Sequence, residues 1–321
     1  MSTRRRLDIG VSSYRNPEKL KKTLESIEAN SHTDWRCFVI HNPSDDHEGN
    51  QAAGIIRAAS FSNQRIAPKF LPANVRYAGA VNKLFDLAET SYVAYLDNDI
   101  EILTPGWDER LCTILDRHPE VAQVFPGDGH YGFHNGKYRE CLWSAGYAWV
   151  AQVEAVKKSW FEGPWVWRAL YMGDDRGKWG ALDHTLGHHE EVDLMIRLRL
   201  AGYQLACDPG VSILHHQTAT NDPAAAKRIH AGVVRWMEKW NRYFCGDALK
   251  YPNPDPDSGE GYDPRSLQYT DWPPVQLYLE RWTLAQLPDW NARPRIVVTS
   301  AGEMEAIEVL KPKGSHVGRA I

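Results

Sequence analysis

The chain has 321 residues, 43% of them hydrophobic and 24% charged, with a formal net charge of −4. That length supports a large buried core, and the mild acidity excludes a molecule built as a whole to attract polyanions. The short basic run Arg4-Arg5-Arg6 reads as a solvated terminus, and no window approaches the ~20 apolar residues of a membrane helix.

In chain order, Leu7–Tyr14 (LDIGVSSY) reads as a strand ending before Asn16-Pro17, an N-cap and a first helical residue. Leu20, Leu24 and Ile27 then share one helical face. Trp35–Ile40 (WRCFVI) is a second strand, followed by the polar turn HNPSDD. Helices are expected over Asn50–Ala59 and over Ala78–Ala88, with Val81, Leu84 and Leu87 on one side of the latter. The strand Tyr92–Leu96 runs into Asp97-Asn98-Asp99. A helix starting at Pro105 and capped by Thr104 follows, then the strand VAQVFP. The segment 127–188 is rich in Gly, Trp and Tyr, with WSAGYAWVAQ as its one strand and a short helix after it. EEVDLMIRLRLAG is a helix closed by Gly202. YQLACDPGVSILHH returns as a strand pair or a bent strand. A long helix is expected over about 223–243.

Alternating short apolar strands and helices argue an α/β domain with a mostly parallel sheet. Ligands of such sheets sit outside the carboxyl ends of the strands. The expected organisation is one domain over 1–245, with a nucleotide-binding half at about 7–126, an acceptor half at about 127–220 and the closing helix. A Pro-rich extension, 246–321, would wrap the core or mediate homo-oligomer assembly. Five cysteines, Cys37, Cys112, Cys141, Cys207 and Cys245, show no C-x-x-C pair. With no apolar run behind the first arginines, they read as reduced thiols of a cytoplasmic protein.

Three constellations carry chemistry. Asp97 and Asp99 offer hard oxygen ligands at a strand end, suited to Mg²⁺ or Mn²⁺. Two like charges that close repel unless a cation sits between them. Glu190, Glu191 and Asp193 crowd the first turn of a helix, where carboxylates complement the dipole and Asp193 can pair with Arg197. Glu191 shares its face with Leu194, Met195 and Leu198, which turns it inward, where a carboxylate can act as a base. His215 and His216 end an apolar strand, where a histidine is either packed or a metal ligand. A metal hydrolase would want H-E-x-x-H spacing, which is absent. A sugar nucleotidyltransferase would want a Gly-rich loop near strand 1, where GVSSYRNPEK has one glycine.

In their order, IGVSSYRNPEKLKKTLESI, FVIHNPSDD, NVRYAGAVNKLFDLAETSYVAYLDNDIEILTPGW, EEVDLMIRLRLAGY and DPGVSILHH resemble the successive motifs of family-2 nucleotide-sugar glycosyltransferases. The resemblance spans about residues 7–220. It implies a Rossmann-like A-type glycosyltransferase fold with a mostly parallel central sheet, and a sugar moved from a nucleoside-diphosphate sugar to an acceptor hydroxyl. The acceptor class (glycan, lipid, protein or modified nucleobase) stays open. By the resemblance, Asp97 and Asp99 bind the divalent metal and donor diphosphate. His215 completes the metal site, with His216 as rival. Ser13 and Tyr14 line the nucleotide pocket, Asn82 closes the segment before the metal strand, and Glu191 is the catalytic base of an inverting displacement. The pattern departs at His41-Asn42, where an Asp commonly holds the nucleoside, at Arg15, and at Arg76, which would add a cation near the diphosphate. A retaining transferase on the same fold, or an inactive carbohydrate-binding homologue, is the alternative. Trp143–Trp179 is the candidate acceptor wall and lid, and Asp174 and Asp175 within it read as a solvated turn.

Overall fold

In the computed structural model, the residues described are 6–127, 129, 133–141, 144–161, 181–183, 186–216, 231–232, 236, 295–298 and 304–308. The chain forms two units, Met1–Thr185 with His189–Thr220, and Leu186–His188 with Asn221–Ile321. The first unit opens with β1 (Arg6–Ser13), α1 (Pro17–Asn30), β2 (Asp34–His41), α2 (His47–Ser62), β3 (Ile66–Phe70) and α3 (Arg76–Leu87). It continues with β4 (Tyr92–Asp97), β5 (Ile100–Ile102), α4 (Trp107–Arg117), β6 (Val121–Pro126), β7 (Phe133–His134) and β8 (Arg139–Glu140). β9 (Ala148–Gln152), α5 (Val153–Phe161), α6 (Glu190–Leu200), β10 (Gln204–Asp208) and β11 (Ile213–His215) complete it. In the second unit β12 (Arg295–Val298) and β13 (Met304–Glu308) pair antiparallel.

The main sheet has the order β3-β2-β1-β4-β9-β6-β10-β8-β7. β3, β2, β1 and β4 are parallel, as are β6 and β10, while β9 runs antiparallel between β4 and β6. Successive residues of the central strands feed two cores, one on each face. Leu7, Ile9 and Val11 of β1, Ala94 and Leu96 of β4 and Val150 of β9 pack with α1, α2 and α4. Val93 and Tyr95 of β4 and Trp149 and Ala151 of β9 pack on the other face with α3, α5 and α6. Burial on both faces is why these strands read as unbroken apolar runs. A Cβ at Gly10 would sit 2.5 Å from a Leu84 methyl, so the missing side chain lets α3 lie close over β1.

The sequence reading needs five corrections. The segment 127–188 holds the short strands β7 and β8 besides β9, which itself begins only at Ala148. β3 escaped it because Pro68 stands within the strand. β3 is the sheet's edge, where a missing N–H is tolerated. Asn16 precedes Pro17 as expected but is left-handed and makes no side-chain cap. Thr104 does not cap α4, which begins at Trp107 after a left-handed Gly106. The Thr104 hydroxyl accepts instead from Ser212 N–H at 2.8 Å. YQLACDPGVSILHH is two strands in different sheets, β11 pairing with β5. The expected helix over 223–243 and the extension from 246 fall mostly outside the described residues, as does Cys245. The other four cysteines are buried and, among the described residues, form no disulfide. Among the described residues, no helix is long and apolar enough to cross a membrane.

Asp8 is fully buried in β1. Its carboxylate accepts from Arg36 Nε at 3.1 Å and from the Glu89 and Thr90 amides and the Thr90 hydroxyl at 2.8–3.2 Å. Arg36 Nη2 adds an ion pair at 3.0 Å. Removing one partner of a buried ion pair strands the other. Asp8→Ala is therefore expected to lower the unfolding free energy by about 3–5 kcal/mol in urea titration at pH 7. An unchanged midpoint would show that the pair contributes nothing.

Candidate active site

Strand order reverses between β1 and β4, and a crevice opens at such a point beyond the carboxyl ends of the strands. Ser12 is the register partner of Asp97, and Ser13 of His41. The ends of β1, β2 and β4 therefore line up side by side. Beyond β4 the chain turns through Asn98 and Asp99 into β5. β11 pairs with β5 so that His215 lies opposite Ile100. That pairing returns His215, 116 positions downstream of Asp99, to the same turn.

Asp97, Asp99 and His215 each place one ligand atom within 4.8 Å of the others. His215 Nε2 is 3.2 Å from Asp99 Oδ1, and its ring stacks on Tyr147 with centroids 4.5 Å apart. The Tyr147 carbonyl accepts from Asp97 N–H at 2.8 Å. The Tyr95 hydroxyl donates to Asp97 Oδ1 at 2.6 Å. Burial pushes the Asp97 carboxyl up to about 7 against that bond, and the Asp99 and Glu191 charges push the same way. His215 is raised, first by its bond to Asp99 and then by both aspartate charges, against its own burial. Two carboxylates and an imidazole with mutual repulsion between the acids form a donor set that a hard divalent cation fits. His216 does not join them. Its ring pairs with Glu101 at 3.2 Å, while its N–H donates to the Asp99 carbonyl at 2.8 Å.

The first turn of α6 supplies the other acids. Burial, with the neighbouring Glu191 charge, pushes Glu190 up to about 8, so at neutral pH it holds its proton. Burial raises Glu191 as well, and its charge is the helix carboxylate felt at Asp97. A Cβ on Gly146 would lie 2.7 Å from Glu191 Cγ and 2.9 Å from the Tyr77 hydroxyl. That bare backbone lets both side chains reach the start of β9. Tyr77 donates to the Gly146 carbonyl at 3.3 Å and meets Tyr95 edge-on at 5.2 Å. Asp193 is fully buried and joined to Arg197 at 2.8 Å in the expected i,i+4 pair. The same guanidinium bonds Ser159 and the Ala181 carbonyl, which ties Asp193 into the packing of α6.

On the other side of the crevice, Ser13 Oγ and His41 Nδ1 are 3.2 Å apart and buried. Burial and the Arg57 charge lower the His41 ring, so it is neutral at pH 7. Asn42 is buried, and its Oδ1 accepts from Val75 N–H at 2.9 Å. Tyr14 is exposed. Its carbonyl and that of Arg15 accept from the Asn98 amide at 3.3 Å. Arg15 and Asn16 are both left-handed, at φ 54° and 50°, and Arg15 Nε lies 2.6 Å from Asp46. Arg76 is exposed at the start of α3, at φ 60°. Asn82 spends both amide atoms on the Leu182 backbone, at 2.8 and 2.9 Å, and so fastens α3 to residues 181–183.

Sequence reasoning passed over Tyr77, Tyr95, Gly146 and Tyr147. Tyr77 and Tyr95 carried the signal of a phenol amid apolar residues, because a buried phenol wants a polar partner. Most of Trp143–Trp179, with Asp174 and Asp175, lies outside the described residues.

The fold has solved counterparts. The mannosyltransferase PcManGT from Pyrobaculum calidifontis, in complex with GDP-Man and Mn²⁺, superposes with TM-score 0.56 at 14% identity, covering 91% of this chain and 74% of that one. S. aureus TarS 1-349 in complex with UDP-GlcNAc gives 0.52 at 11%, covering 74% and 66%. At these identities the likeness is one of fold. Protein CgeD of Bacillus subtilis (strain 168) is 25% identical over 126 residues, which is 37% of this chain and 28% of CgeD. The match thus spans under a third of that relative's length. The family model for glycosyl transferase family 2 matches residues 8–177, more than half of the chain and all of the crevice up to β9. The protein belongs to glycosyl transferase family 2 and has the A-type glycosyltransferase fold.

Proposed function

We propose that the protein moves a sugar from a nucleoside-diphosphate sugar to an acceptor hydroxyl, with a divalent cation and with inversion at the anomeric carbon. The observation that carries this reading is the convergence of Asp97, Asp99 and His215 at the carboxyl end of β4, within reach of the Glu191 charge. Solved relatives of the fold hold GDP-Man with Mn²⁺ and UDP-GlcNAc, which supports the donor class. Asp97, Asp99 and His215 would hold Mn²⁺ or Mg²⁺. When bound, the cation supplies positive charge against the donor diphosphate.

The chain's own residues do the rest. Ser13 and His41 form the floor beside β1 and β2 for the nucleoside, with a neutral imidazole in place of a carboxylate. The Tyr95 hydroxyl fixes the orientation of Asp97. Glu191 takes the proton from the acceptor hydroxyl as that oxygen bonds to the anomeric carbon and the bond to the diphosphate breaks on the opposite face. Glu190, pushed up to about 8 by burial and the Glu191 charge, favours its neutral form. Asp193 positions α6 through Arg197.

Thermal unfolding with UDP, GDP, dTDP or CDP is expected to rise for one nucleotide in a Mn²⁺-dependent way, by about 2.7 kcal/mol at a hundredfold excess over Kd. Asp99→Ala should abolish the rise, and no shift with any nucleotide in folded protein would sink the donor site. Glu191→Gln should cut turnover by roughly 10²–10⁴-fold and keep the nucleotide shift. The base works ionised, and burial holds Glu191 above the ordinary glutamate range. Wild-type turnover should therefore fall as pH drops through a limb lying above ~4.3, and Glu191→Gln should lack that limb. Gly146→Ala pushes on Glu191 and Tyr77, and should lower turnover with little change in donor affinity. A larger change in nucleotide affinity than in turnover would contradict the placement of Glu191 on the acceptor side.

A further inference from the structure

On the α4 side of the sheet, outside the crevice, α4, the β7–β8 hairpin and the end of β10 line an open pocket of about 370 Å³. Its lining includes Arg117, His118, His134, Lys137, Tyr138 and Arg139. That is three permanent cations and two imidazoles in a chain whose net charge is −4. Arg117 and Lys137 are exposed and make no ion pair among the described residues. Two features oppose an anion here. Asp208 lines the cavity, but Arg110 forks it at 2.9–3.0 Å. The negative end of the α4 dipole also points this way, and Arg117 lies in that last turn, where a cation offsets it. His118 is 3.6 Å from Glu120, and its ring lies 4.7 Å from that of Tyr138. The Nδ1 of His134 accepts from Gly136 N–H at 3.1 Å, which leaves Nε2 as the ring's donor.

We infer that this cavity is a second ligand site of the protein and takes a phosphoryl anion. Its donors come from two separate elements, the end of α4 and the β7–β8 hairpin. A planar carboxylate is satisfied by a single guanidinium fork, whereas a phosphoryl group of nearly two charges accepts from several directions. Ile114 and the paired Tyr138 and His118 rings offer apolar wall for an organic group on the phosphate. None of the lining residues belongs to the crevice. β10 stands three strand positions from β4 in the sheet, about 14 Å at ordinary strand spacing.

Calorimetric titration of the full chain in EDTA at fixed ionic strength, with inorganic phosphate and with phenyl phosphate, tests the site away from any cation-dependent binding. Saturable one-site binding is expected, weakened about 10–100-fold in Arg117→Gln/Lys137→Gln. Tighter phenyl phosphate than phosphate marks a phosphate ester as the ligand, and equal affinity marks free phosphate. Lys137→Glu alone changes one exposed turn residue without touching the core, so it keeps the test valid if the double variant unfolds. It should weaken binding about tenfold. Absence of saturation in wild type by either probe, or unchanged affinity in folded Lys137→Glu, overturns the assignment.

Discussion

The parallel pairing of β1 with β4 is the constraint on which the rest depends. It sets Ser12 beside Asp97 and makes the strand order run outward from β1 in both directions. Because the strands are parallel, their carboxyl ends meet on one edge, and the loops that leave them must diverge. The diverging loops carry Tyr14 to Asn16 on one side and Asn98 and Asp99 on the other. Both flanking strands are apolar on both faces, so a slip in register would exchange the two cores and separate those loops. The core thus holds the site in place.

Two kinds of shielded carboxylate stand out in this protein. Asp8 and Asp108 are fully buried and surrounded by donors. Asp108 accepts from the His32 and Thr33 amides and the Thr33 hydroxyl at 2.6–3.0 Å. Such groups are structural ties between elements. Asp97, Glu190 and Glu191 are shielded from water without an equivalent shell of donors, and each is raised by that shielding. Unfolded protein would relieve all three, so they cost stability. Carboxylates held at that cost and gathered at one crevice mark it as a candidate functional site.

The sequence made the skeleton legible because the strands are apolar runs and the helices keep their stripes. Leu20, Leu24 and Ile27 are buried on α1 as their spacing implied. Asp97 and Asp99 were visible as acids at a strand end. The resemblance singled out His215 beside them, and the β5–β11 pairing shows why, since a three-residue ribbon has too little period to read. β3 was hidden by Pro68. The start of α4 was misplaced because a left-handed glycine, and no side-chain cap, opens that helix. Gly146 and Tyr147 were unreadable for another reason. Their importance lies in what approaches them from distant parts of the chain, and no local pattern encodes an approach.

Asn98, the residue between the two aspartates, has a consequence of its own. Its amide bridges the carbonyls of Tyr14 and Arg15, while Asp46 grips the Arg15 side chain. Between them they hold Arg15 in a left-handed conformation that costs an ordinary residue about 1–2 kcal/mol. Loosening either grip would let the backbone relax toward its preferred basin and carry the loop after β1 away from β4. The residue between the two aspartates therefore links the loops that leave β1 and β4: its side chain ties the loop after β1 to the turn after β4.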